Sequence, residues 1–321
     1  MDNSQDNEQI LAKIFIPHSA ERREDMKKRK GLFVHYTSAE NAMKIIQSKK
    51  LWLRNVKCMN DYMEVFHGYE LMQGFFKNPD SKELFLKALE PCGNEIARKA
   101  IALFDQWWEN ISLNTFISSI SEHDSKEDDH GRLSMWRAYG QKSAAAIVFN
   151  APFESDSKTG LNLLLTPTAY FKQKDLNKEF TRVIKNINDN IKFLVSQGEE
   201  VIVKMVFSML VVNAVSLKHE GFKEEREWRI IYLPYLNPSE LISRDIESIN
   251  GVPQIVYKVP LEDKLKENIV GISIPQIFNK IIIGPTEYPL PLLEAFKVAL
   301  EKAGIENPVG RVIVSGIPLR T

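Results

Sequence analysis

The run Phe222-Lys223-Glu224-Glu225-Arg226-Glu227-Trp228-Arg229-Ile230-Ile231-Tyr232 sets ionisable side chains inside a segment that otherwise reads as a β-strand of the core. If it is extended, its period of two puts Glu225, Glu227 and Arg229 on one face. Arg226, Trp228, Ile230 and Tyr232 take the other, with about 6.5 to 7 Å between same-face neighbours. The strand then has an apolar side and an ionic side. A row of carboxylates with an arginine beside it, held on a rigid strand, is a scaffold on which a catalytic acid can be aimed. An ordinary strand with one face in water has the same alternation. A second block, Phe33-Val34-His35-Tyr36-Thr37-Ser38, likewise sets a histidine in a strand-like run. A histidine there is either a hydrogen-bonded core residue or a functional group.

A chain of 321 residues with 44% hydrophobic residues supports a proper core in one large domain or two modest ones. Its 42 basic and 42 acidic residues balance, so no global field draws it to nucleic acid or to an anionic membrane. The basic cluster Lys27-Lys28-Arg29-Lys30 is interleaved upstream with Glu21, Glu24 and Asp25 and reads as a solvated helix. Cys58 and Cys92 are too far apart for a zinc knuckle or a redox pair, which suits a reducing compartment. The polar, acidic opening is unlike a secretory leader, and the greasiest stretch, Met205 to Leu217, is too short to span a bilayer. A cytoplasmic protein with no membrane partner is expected.

Along the chain, residues 1 to 30 read as a charged, partly helical lead-in with Ile10, Leu11, Ile14 and Phe15 as a docking stripe. A strand is expected at Leu32 to Tyr36, then a helix from Ala39 to Ser48 capped by Ser38, then a strand at Leu51-Trp52-Leu53. Helical pattern begins near Tyr62 and runs from Asp80 to Ile111, and strand-like alternation covers Leu113 to Ser121. The stretch Glu122 to His130 is acidic and mobile in character. A short helix at Ser134 to Gly140 precedes strands at Ala144 to Phe149 and Leu163 to Phe171. A long helical section, Leu176 to Val215 with a break at Gly198, precedes the strand at Glu227. Strands at Gln254 to Val259, Ile269 to Ile274, Lys280 to Ile283 and Arg311 to Val314, with a helix from Pro291 to Lys302, complete the pattern. The expected class is α+β: one domain over 31–321 with a central mixed, mostly antiparallel sheet and helical insertions at about 62–111 and 176–216.

The chain contains no phosphate loop, no dinucleotide-binding glycine fingerprint, no H-E-x-x-H and no nucleophile elbow. Asn60, Asp61 and Glu64 cluster at a helix start, where such residues cap free amides and complement the dipole. Alternatively, Asp61 and Glu64 join Glu225 and Glu227 around a divalent metal in a phosphodiesterase site. Trp136 and Tyr139, three apart on a short helix, are either core or a stacking platform for a planar ring. A non-enzymatic sensing or recruiting module, its ionic strand face paired internally, is the third reading.

In order, the series contains His35-Tyr36-Thr37-Ser38, Asn60-Asp61 with Glu64, Ser119 and Ser121, and Met135-Trp136-x-x-Tyr139. It continues with Lys218-His219, then Glu225-x-Glu227-Trp228-Arg229, then Ile281-Ile282-Ile283-Gly284-Pro285. Across residues 31 to 290 it resembles the bacterial family called domain of unknown function 2971, a name that confers no chemistry. The opening His35-Tyr36-Thr37, with the helix of Asn41-Ala42-Met43-Lys44-Ile45-Ile46 and then Leu51-Trp52-Leu53, is similar to that of ADP-ribosyltransferases, including those that modify DNA. That resemblance implies a split sheet and an NAD-consuming enzyme, of the kind found among bacterial toxins and defence effectors. Its acceptor would be a nucleic acid or a protein, and no metal would be needed. It implies that His35 holds the NAD ribose and nicotinamide beside Thr37, that Tyr36 or Tyr139 stacks on the nicotinamide, and that Glu227, with Glu225 as rival, supports the reaction. Ser119 and Ser121 are the candidates for the middle serine motif, and Arg229 for a pyrophosphate contact.

Overall fold

The computed structural model describes residues 3–59, 64–139, 143–150, 160–249, 251–267 and 269–317. Two helices, α1 (Asn3–Phe15) and α2 (Pro17–Lys28), precede strand β1 (Leu32–Ser38), helix α3 (Ala39–Ser48) and strand β2 (Lys50–Asn55). Helices α4 (Glu64–Phe76), α5 (Pro79–Leu89) and α6 (Ile96–Asn114) follow. The chain then forms β3 (Phe116–His123), α7 (Leu133–Tyr139), β4 (Ala144–Asn150) and β5 (Leu164–Pro167). Helices α8 (Gln173–Asp189), α9 (Ile191–Gln197) and α10 (Glu199–Ser216) lead to β6 (Glu227–Tyr232). The hairpin of β7 (Ser243–Ile249) and β8 (Val252–Pro260) comes next. The last elements are α11 (Ile274–Ile277), β9 (Phe278–Ile283), α12 (Pro289–Lys302) and β10 (Val312–Val314).

The chain divides into two compact units. The first comprises Met1–Asp25, Asn55–Thr115 and Thr166–Lys223, and the second Met26–Arg54, Phe116–Leu165 and Glu224–Thr321. The first is helical, and the lead-in and both insertions come together in it. Its centre is α10, which buries Ile202, Val206, Phe207, Leu210, Val211, Val212 and Val215; Glu200, Lys204 and Ser208 line an exposed stripe on its first half, and from Met209 to Ser216 no residue is exposed. Helices α4 and α6 pack on it. At Gly68 on α4 a Cβ would lie 2.5 Å from the carbonyl oxygen of Ala214, so this glycine sets how closely the two helix backbones approach.

The second unit carries the sheet, in the order β10-β9-β4-β1-β3-β2-β8-β7, with β6 paired to β3 and β5 to β6. Pairing is antiparallel wherever the register is assigned, except for the parallel β9–β10 pair. The protein is α+β with a mixed, mostly antiparallel sheet. One face of β4 and β9 is covered by α3 and α12 through Ala42, Ile45, Ile46, Ile281, Ile283, Phe296 and Leu300. The opposite face packs Trp136 and Met135 of α7 against Val34, Tyr36, Ala146 and Ile282. Ser38 caps α3 as its sequence position predicts, accepting from the Asn41 amide at 3.1 Å.

The topology around β3 positions the site. Strand β6 pairs with β3 from Phe116 to Ser121, and β1 pairs with it only over Ser121 to His123. Because β6 fills one edge, β1 and β2 share the other, β1 at one end and β2 further along.

Several elements depart from the sequence expectations. The segment from Asp80 to Ile111 is two helices, parted at a turn where Gly93 has φ +146. The strand expected at Ile269 to Ile274 is absent: Ile269 makes a single bridge to Lys264, and the Asp263 carboxylate caps the amides of Ile272 and Ser273. Strand β7 has no counterpart in the expected pattern, because its Arg-Asp-Ile-Glu-Ser run carries the exposed faces of a sheet-edge strand. Replacing Gly68 by alanine should cost about 1–3 kcal/mol, because the added methyl meets rigid backbone and not a side-chain tip. Thermal denaturation of Gly68→Ala measures it as a lowered midpoint.

Candidate functional site

Ser119 is the meeting point of three strands. Beyond Val34, β1 leaves β3 but stays paired with β4 as far as Ser38, so His35 reaches the vacated edge. Its Nδ1 lies 2.8 Å from the Ser119 carbonyl oxygen. A carbonyl only accepts, so Nδ1 carries the proton and Nε2 is left as the acceptor of the neutral ring. His35 is half-buried as a residue, yet its ring sits deep enough that burial pushes its pKa below the ordinary 6.5, against the opposing effect of the Ser119 bond.

On the other edge, Ser121 faces Glu227 and Ser119 faces Arg229. Cross-strand partners share a face, so these four side chains form one polar patch. The Ser119 hydroxyl donates to Glu227 Oε1 at 2.5 Å. Arg229 donates through Nε to the same oxygen at 3.2 Å and through a terminal nitrogen to Oε2 at 3.3 Å. Glu227 is 3% exposed and Arg229 is fully buried, so the charges neutralise each other away from water. The half-solvated ionic face of the sequence reading is thus corrected: both faces of β6 are buried.

The run of alternation is also shorter than expected. Strand β6 starts at Glu227, Glu225 ends a 3-10 turn, and between them Arg226 adopts φ +46. That left-handed residue breaks the period, and Glu225 does not share the Glu227 row. Its carboxylate instead accepts from the Tyr139 hydroxyl at 3.3 Å.

Register places His35 opposite Ile147, on the side packed by α3 and α12, whereas Glu227 shares the α7 side with Ser121 and Val34. The two are joined through Ser119, whose carbonyl takes the imidazole and whose hydroxyl takes the carboxylate. Thr37 accepts from the Asn41 side chain at 3.4 Å, and Ser121 is buried in the patch. Tyr36 and Trp136 form an edge-on core pair with centroids 4.8 Å apart. Trp136 is 2% exposed, donates from Nε1 to the His130 carbonyl, and touches Gly131 and Gly284 too closely for a Cβ at either. Trp136 is therefore core and offers no free face for stacking, and Tyr36 is buried beside it. Burial pushes the Tyr36 hydroxyl up to about 12, and it accepts from the Arg132 amide. Of the two platform residues only Tyr139 is half-exposed.

The acidic stretch from Glu122 to His130 is ordered, which corrects its reading as mobile. Asp124 and Glu127 form a reciprocal capping box over the turn Ser125–Glu127, and Asp128 pairs with Lys280 at 2.8 Å and with His123 at 2.7 Å. Arg132 and Arg226 both hold the Glu127 carboxylate. The spacing Asp124-x-x-Glu127 was the available signal for this turn; the arginine partners had none. Asp61 lies outside the described residues, as does the side chain of Glu64. Among the described residues no group of three metal-binding side chains converges, and Glu225 and Glu227 point to different partners. In the helical unit a small cavity of about 30 Å³ lies among His18, Ser19, Glu179, Asn213 and Ser216, room for about one water.

Residues 135–230 match the family model described as Protein of unknown function (DUF2971), a stretch that contains Tyr139, Glu225, Glu227 and Arg229 but neither His35 nor Ser119. It is narrower than the span of 31 to 290 over which the motifs run. No curated protein and no solved structure matches the chain. Among the described residues no helix is long and apolar enough to cross a membrane.

The depressed pKa of His35 has a signed consequence. Unfolding restores the ordinary value of 6.5, so the unfolded chain takes up the proton first as pH falls. His35 therefore costs no stability above about pH 6.5 and draws stability down as pH drops from there toward the lower folded value. In His35→Gln, which keeps an N–H for the Ser119 carbonyl, the fall in urea midpoint between pH 7 and pH 5.5 should be smaller than in the wild type.

Proposed function

We propose that this chain, whose residues 135–230 match that family model, is an NAD-consuming enzyme of ADP-ribosyltransferase type. The observation that carries the reading is the hydrogen-bonded series His35–Ser119–Glu227–Arg229, spread over β1, β3 and β6 just past the point where β1 stops pairing with β3. His35 and Ser119 are half-buried there, and the series links a group on one face of the sheet to groups on the other.

The chemistry suits such a series. Cleavage of the nicotinamide–ribose bond passes through a cationic, oxocarbenium-like sugar, which a fixed carboxylate stabilises most strongly where water is excluded. Glu227 is held as that carboxylate by Arg229 and by the Ser119 hydroxyl. The neutral His35, with Nδ1 fixed as donor, presents Nε2 as an acceptor for a ribose hydroxyl. Tyr139 is the half-exposed aromatic beside Glu225. The acceptor of the ADP-ribosyl group is a nucleic acid or a protein, and the site's own groups supply the charge stabilisation.

Incubation of the purified protein with NAD⁺ and a cell lysate, followed by nicotinamide release and transfer of labelled ADP-ribose, tests the reading. Glu227→Gln preserves shape but removes the charge, and it should slow turnover by about a hundredfold or more. Equal rates in the two proteins would remove Glu227 from the mechanism, and absence of nicotinamide release with every acceptor would overturn the NAD reading.

A further inference from the structure

Glu227 follows directly on a backbone residue in an unusual conformation. Arg226, with φ +46, is not a glycine, and such a residue persists only where its surroundings over-determine it. The surroundings are specific. The Arg226 carbonyl accepts from the Glu122 amide at 3.0 Å, which ties the turn to β3 just beyond the Ser121–Glu227 pair. Its guanidinium grips Glu127.

The rest of the restraint comes from Arg132, immediately before α7. One terminal nitrogen donates to both preceding carbonyls, Glu224 at 2.9 Å and Glu225 at 3.0 Å. The other donates to the Glu122 carbonyl at 2.9 Å and to Glu127 Oε2 at 3.1 Å, and Nε donates to Glu127 Oε1 at 2.9 Å. All five N–H groups of the guanidinium are thereby used. Its side chain is 11% exposed, so these bonds form largely out of solvent. No lysine can reproduce the set, because an ammonium has three donors and no planar fork.

We infer that Arg132 is a positioning residue: it clamps the Glu224–Arg226 turn and so fixes where the Glu227 carboxylate enters the sheet. Glu127 is its counter-ion, and this is the task of the acidic turn. The clamp is a statement about backbone order, and its consequence for turnover rests on the NAD reading above.

The test compares wild type, Arg132→Lys, Glu227→Gln and the double variant, each confirmed as folded by circular dichroism. Hydrogen exchange should be about tenfold faster in peptides covering 224–229 of Arg132→Lys, with β4 and β9 unchanged. Nicotinamide release should show kcat lowered about tenfold with KM for NAD⁺ within about twofold, and no further loss when Arg132→Lys is added to Glu227→Gln. Should Arg132→Lys fail to fold, Glu127→Gln replaces it, with the same local rise in exchange expected. Unchanged exchange over 224–229, or a rise spread equally through β4 and β9, overturns the clamp. A further loss of turnover in the double variant overturns its action through Glu227. A wild type that releases no nicotinamide overturns the NAD reading instead, and the exchange comparison still decides the clamp.

Discussion

A β-strand has two hydrogen-bonding edges, and on β3 one of them is taken by β6 from Phe116 to Ser121. Everything distinctive about the second unit follows from that occupancy. Strands β1 and β2 must divide the remaining edge, and β1 pairs no further than Ser121, short of Ser119. A backbone carbonyl needs a donor, and the imidazole of His35 supplies one to Ser119. The histidine is fixed in one tautomer by the same contact.

The buried charges of this unit come as satisfied sets. Glu227 has Arg229 and Ser119. Glu122 accepts from Trp228 Nε1 at 2.8 Å and from Arg29 at 2.5 Å. Glu127 has two arginines. Ion pairs of this kind contribute little net stability, because desolvation offsets most of their attraction, but removing one partner strands the other. They act as registration devices: each specifies which residue of one strand or turn sits against which of the next.

Local signals carried much of the fold. The Ser38 cap and the Ala42, Ile45 and Ile46 stripe specified α3, and the largely apolar run from Met205 to Leu217 marked the C-terminal half of α10 as buried. Alternation found β3, β4 and β9 to within a few residues. It failed where a single backbone angle intervened. Arg226 has no residue-type signature for φ +46, so Glu225 was read into the Glu227 row. Ile269 to Ile274 has strand composition, yet its amides go to the Asp263 carboxylate and not to a neighbouring strand. The helix spacing of Trp136 and Tyr139 was read correctly, but only packing separated the enclosed ring from the half-exposed one.

The sequence by itself determined most of the helices and strands, the apolar faces of α3 and β9, and that His35, Ser119, Glu227 and Arg229 lie on strands, because periodicity and capping act over a few residues. The tertiary structure decided that these four join into one series, that the acidic turn is a counter-ion and not a mobile loop, and that lead-in and insertions form a unit of their own. Those outcomes depend on strand order and on contacts between residues about a hundred positions apart, and no short-range pattern encodes which edge of β3 a distant strand will take.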